Sequence, residues 1–200
     1  NFLTAMQMDR RYANIRYNEL SDRPEIHGIL VDGQPTVKKW TDADNAASEN
    51  YMEVTYGLYS PQKHEKALRL LFEERKYHPI RDMLDPVVWD GEERCVHFLH
   101  KWALVEDTDY TREVSRLIFA GGIHRLYNPG CKFDDMVVLT GGQGSGKSTV
   151  TRFLNMDDRY FREIKVITGK EGIEAIRGVW IGEVAELMAM TRVKEAEAVK

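Results

Sequence analysis

The sequence predicts an α/β fold in which a parallel sheet carries a glycine-rich loop, behind a mostly helical N-terminal domain with a small β-hairpin. Three observations carry this. An apolar run, MVVLT at 136–140, breaks into the glycine-rich segment GGQGSGKST at 141–149. Strand-like and helix-like segments then alternate, the grammar of a parallel sheet. Ahead of the loop, capped helical patterns fill most of the chain.

The elements follow in order. To about Trp40 the chain reads as short strands, NIRYNEL, HGILV and TVKKW, with Asp32-Gly33 as a hairpin turn near 26–40. Thr41 with Asp44 resembles a capping box opening a helix that Gly57 can end. Ser60-Pro61 is an N-cap followed by a proline in the first turn, and places Ala67, Leu70 and Leu71 on one face. The stretch 78–94 carries two prolines and Asp90-Gly91, and is expected to be a connector with one short helix. Helices are expected from about 93 to 104 and 110 to 126, the second with Val114, Leu117 and Ile118 inward. Asn128-Pro129-Gly130 then breaks the pattern, so the expected domains are 1–128 and 129–200. A helix over 147–155, a strand over 161–169, a helix over 170–178 and the strand VWIG at 179–182 complete the reading.

The loop fits GxxxxGK[ST] with Gly141, Gly146, Lys147 and Ser148, the pattern of a P-loop nucleoside triphosphatase. Glycines there free successive N–H groups to point at an anion and let a phosphate approach the backbone. Gly141, Gly142, Gln143, Gly144, Ser145, Gly146, Lys147, Ser148 and Thr149 are the expected ATP-binding residues. Lys147 is expected to reach the β- and γ-phosphates, and Ser148 to help hold magnesium. The strand VWIG delivers Glu183 to its C-terminal end, where such sheets place their chemistry. Glu183 is the expected magnesium-organising acid; Glu186, three residues on, can share its face if a helix starts there. Cys95, His97 and His100 form CxHxxH, but no second ligand pair follows at zinc spacing, and the segment reads as an ordinary helix.

Composition bounds the rest. At 200 residues and 42% hydrophobic content the chain holds a real core. A net charge of −4 gives no global sign of a polyanion partner and excludes none. Only Cys95 and Cys131 are present, in no CxxC pattern, which fits a reducing cytoplasm. No apolar run is long enough to span a bilayer.

Several segments together resemble the virulence-associated protein E family of phages and mobile elements: YNEL at 17–20, the Trp40 and Asp42-x-Asp44 neighbourhood, YHPIRDML at 77–84, WDGEER at 89–94, PGCKFDDMVVLTGGQGSGKST at 129–149 and GVWIGEVAEL at 178–187. The resemblance implies an ATPase related to superfamily 3 helicases and primase-helicases, working as a homo-oligomeric ring on single-stranded DNA in replication of the element. It assigns the 141–149 loop to ATP, Lys147 to the phosphates, Ser148 to magnesium, and Glu183 with Glu186 to the second acidic motif. Gly169-Lys170 departs from the family's usual acid and lysine, and no role is carried there. A complete core of this type has further strands bearing a sensor residue and an arginine, so the sheet is expected to continue beyond Lys200 and the isolated chain to be poorly active. Two other classes share the motif: a small-molecule phosphotransferase, and a non-catalytic DNA-docking module with a nucleotide-sensing remnant.

Overall fold

The structure is a computed structural model and describes residues 1–166 and 168–184. The fold is mixed α/β. It divides into two compact units, Asn1–Asp82 and Met83–Lys200; the helices between 98 and 127, which the sequence groups with the N-terminal part, fall in the second.

The first unit opens with a helix the strand-like reading of 1–40 did not anticipate. α1 (Phe2–Met8) is capped by Asn1, whose side chain accepts from the Thr4 N–H, and it buries Phe2 and Met6. β1 (Ile15–Asn18), β2 (Arg23–Val31) and β3 (Gln34–Lys39) follow. Asp32 and Gly33 both hold positive φ, 50° and 76°, as the two-residue turn between β2 and β3 demands. α2 (Asp42–Tyr56) starts at the predicted box, with Thr41 and Asp44 each serving the other's backbone, and ends at Gly57. α3 (Pro61–Glu74) starts at Ser60. β4 (Lys76–Tyr77) lies parallel to β1, so the expected hairpin is one side of a four-stranded sheet in the order β3-β2-β1-β4.

The face of α3 is corrected. His64, Ala67, Leu68 and Leu71 are buried, whereas Leu70 is 45% exposed. This is the i, i+3, i+4, i+7 stripe of a helix laid on a core. A histidine belongs to it because Nε2 pairs with the buried Ser48 hydroxyl at 2.8 Å, and Ser48 in turn pairs with the Tyr12 hydroxyl at 2.7 Å. Around this relay Met6, Ile15, Met52 and Leu71 form the core, and each such side chain contributes about 1.5–3 kcal/mol by leaving water.

The second unit follows α4 (Pro79–Leu84), which straddles the division. The WDGEER stretch closes on itself. Arg94 bridges Asp90 and Glu92, Asp90 also accepts from the Glu92 N–H, and the Trp89 indole donates to the Glu92 carbonyl. The Arg94 hydrogen bond draws the Asp90 carboxyl down to about 2.

α5 (Phe98–Ala103) is shorter than expected, and α6 (Asp109–Tyr127) spans the predicted helix. The inward residues of α6 differ in degree from the expectation: Val114, Leu117 and Ile118 are half-buried, while Ser115, Gly121 and Leu126 are buried. Ser115 sits inside because its hydroxyl donates to the Thr111 carbonyl and accepts the Leu99 N–H of α5. Next come α7 (Lys147–Leu154), β5 (Phe161–Glu163), α8 (Gly169–Ile176) and β6 (Ile181–Glu183). β5 and β6 pair in parallel, Phe161 to Ile181 through Glu163 to Glu183.

One expected strand does not form. Residues 136–140 join no ladder among the described residues, although Met136 and Val138 are exposed and Val137 and Leu139 half-buried, as alternation requires. Alternation makes a two-faced segment, but only a neighbouring backbone makes it a strand. At Ile181 of β6 both main-chain groups are already engaged by the side chain of Asn155.

Candidate functional site

The site grows from the turn that ends in α7. Gly144 and Gly146 hold φ of 78° and 83°, a region that side chains bearing a Cβ rarely enter, and Gly146 caps the helix. The segment is therefore a loop by backbone necessity. The first turn of α7 presents N–H groups at its N-terminal end, where the helix dipole favours negative charge.

Lys147 folds back over the loop. Its ammonium donates to the Gly141 carbonyl at 2.9 Å, the Gly142 carbonyl at 2.8 Å and the Ser145 hydroxyl at 3.2 Å. The cation is thus held at the mouth of the turn by three neutral acceptors. Gln143 and Thr149 stand exposed beside it.

Ser148 meets the acid that the sequence proposed for it. Its hydroxyl donates to Glu183 Oε1 at 2.6 Å, joining the first turn of α7 to the last residue of β6. The strand reaches that place by four attachments. β5 pairs along one side. Trp180 donates from its N–H to the Tyr160 carbonyl and from its indole to the Gly122 carbonyl of α6. Ile164 donates to the Glu183 carbonyl at 2.7 Å. Asn155 closes on Ile181. Between them Gly182 lies close under Ile164, where a Cβ would meet Ile164 Cδ1 at 2.3 Å and oblige that side chain to shift.

The donor set has a chemical signature. A hydroxyl and a carboxylate are hard oxygen ligands suited to magnesium, which keeps several waters and takes its remaining ligands from substrate phosphates. No cluster of three His, Cys, Asp or Glu able to hold a metal occurs among the described residues. The CxHxxH segment is used otherwise: His100 Nδ1 lies 2.9 Å from the Val105 carbonyl and His97 Nδ1 lies 3.5 Å from Asp107. Asp107 is held near 2 chiefly by its hydrogen bonds from Arg112.

The structure therefore brings together Lys147, Ser148, Glu183 and the glycine loop. Glu186 lies outside the described residues. Sequence reasoning marked Trp180 only as part of the strand VWIG and passed over Asn155; an asparagine just past a helix reads as an ordinary cap, and nothing local marks it as reaching a strand.

What these elements define is a mixed α/β domain built on a glycine-loop helix and a parallel strand pair. The model of the virulence-associated protein E-like domain matches residues 84–200, and the chain belongs to that family. No curated protein matches it. No helix among the described residues is long and apolar enough to cross a membrane.

Proposed function

We propose that the protein binds ATP with magnesium at the 141–149 loop and is a P-loop ATPase acting on single-stranded DNA in the replication of a phage or mobile element. The observation that carries this reading is the 2.6 Å contact from Ser148 to Glu183. A loop that only turned the chain would have no reason to set an acid against the hydroxyl next to its lysine. On this reading the loop amides and Lys147 hold the phosphates, with the Lys147 ammonium exchanging loop carbonyls for phosphate oxygens. Ser148 and Glu183 would hold magnesium, which supplies charge neutralisation at the transferring phosphate. Glu183 keeps an attacking water oriented, and Glu186 is the second acid of the pair. Family membership supports the DNA and mobile-element setting, and a homo-oligomeric ring is the assembly proposed for the full-length protein.

The test is turnover. The full-length protein should hydrolyse ATP faster when single-stranded DNA is added, and Glu183→Gln should retain nucleotide while losing hydrolysis. Turnover stimulated by a small metabolite instead would make the protein a phosphotransferase. Nucleotide binding without turnover under either condition would leave a docking module.

A further inference from the structure

Asn155 is a fully buried side chain in the matched domain, and all three of its hydrogen bonds run to main chain. It is 0% exposed. Its Nδ2 donates to the Ile181 carbonyl at 2.8 Å and to the Thr151 carbonyl at 3.2 Å, and its Oδ1 accepts from the Ile181 N–H at 2.9 Å. One amide thus takes both backbone groups of a single strand residue, a two-point contact that fixes the strand's height as well as its distance.

The location gives the contact its consequence. Asn155 is the C-cap of α7, and Ser148 stands in the first turn of the same helix. Ile181 begins β6, and Glu183 ends it. An α-helix advances about 1.5 Å per residue as a stiff rod and a strand about 3.3 Å, so joining one end of α7 to one end of β6 determines how the other ends meet. Those other ends are the Ser148 hydroxyl and the Glu183 carboxylate.

We infer that Asn155 is a positioning residue for the magnesium–nucleotide site: it acts through β6 to hold the Glu183 carboxylate at the Ser148 hydroxyl. This rests on the ATP–magnesium reading above. Asn155 touches neither nucleotide nor metal in this role, so its removal should change the demand for magnesium and spare the part of binding that the loop provides.

The experiment is a double-mutant cycle on the magnesium dependence of ATP binding, read with a fluorescent ATP analogue in the whole chain. For Asn155→Ala, the magnesium concentration giving half-maximal binding should rise about tenfold, the lower end of what residues supporting metal ligands usually cost. Affinity for the analogue in EDTA should stay at the wild-type value. In a Glu183→Gln background the same substitution should add almost nothing, because its route to the metal is already cut. Asn155→Asp keeps an acceptor for the Ile181 N–H and loses the donor to the carbonyl; it supplies the same readout if the alanine variant does not fold, and should also raise the midpoint. A wild-type magnesium midpoint in both folded variants, with only the melting temperature lowered, would make Asn155 a purely structural residue and overturn the inference. Fully additive effects of the two substitutions would do the same. If the wild-type chain binds no ATP with magnesium present, the nucleotide reading itself fails and this role falls with it.

Discussion

Residues 1–82 and 83–200 hold their shapes by different means. The first unit closes around a core, with Met6, Met52, Leu71 and Ile80 all at 0% exposure and a Tyr12–Ser48–His64 relay threaded through it. The second buries fewer large apolar side chains among its described residues and leaves Trp102, Leu104, Val138 and Phe153 more than 60% exposed. Beside a smaller buried set, Val96, Leu99, Leu126, Val150 and Ile164, it carries polar clasps that set direction: Asp90 with Arg94, Ser115 with Leu99, Asn155 with Ile181, Ser148 with Glu183. A core resists change by volume, whereas a clasp resists it by direction. The region that carries the proposed chemistry is the one built on direction.

That contrast can be broken by substitution. The largest effect is expected at Leu71, where Leu71→Ala leaves a cavity in a closed core and should cost about 2–5 kcal/mol of stability. Denaturant unfolding measures it, and nucleotide affinity of the folded protein should not move. An equal loss of affinity would show that the two units are not separable in this sense.

Next comes Ser148→Ala. Deleting the hydroxyl removes the oxygen that this reading gives to magnesium, together with an exposed hydrogen bond that adds little to folding stability. Here the loss should appear as weaker magnesium-dependent ATP binding, measured by titration calorimetry, with little change in melting temperature. The two substitutions together set stability against binding.

A smaller effect should appear with pH, and in the first unit. Burial pushes the His64 imidazole below its ordinary 6.5, against the opposing pull of Glu49, and burial with the Arg81 charge does the same at His78. A group whose folded pKa is depressed gives stability that is fully present above 6.5 and is lost as pH falls below it toward the folded value, because the unfolded chain then binds more protons. The melting temperature should therefore be lower at pH 5.5 than at 7.5. In His64→Gln, whose amide can still meet Ser48, the difference should shrink; an unchanged difference would remove His64 as a cause.

Local chemistry is what the sequence made legible. The turn at Asp32-Gly33, the Thr41 box, the Ser60 cap and the glycine loop each depend on residues within a few positions of one another, and all are where the pattern puts them. Glu183 ends its strand as expected, although that strand is Ile181–Glu183 and not 179–182. Long-range pairing was not legible. β4 is two residues that matter only because β1 lies beside them, and His64 is buried only because Ser48 awaits it across the core. Residues 136–140 show the converse error, a correct alternation with no ladder. Asn155 was hidden for the same reason, since its partner lies 26 residues away in sequence.

The central claim is that the loop and Glu183 form one magnesium–nucleotide site. Titrating a fluorescent ATP analogue into the wild-type chain and Lys147→Ala, each with magnesium and with EDTA, tests it most directly. The account predicts saturable wild-type binding that weakens sharply in EDTA, and an Lys147→Ala protein of unchanged circular dichroism whose affinity is about ten- to hundredfold lower, the worth of a hydrogen-bonded charge contact. Equal affinity of the two proteins, or binding indifferent to magnesium, would contradict it.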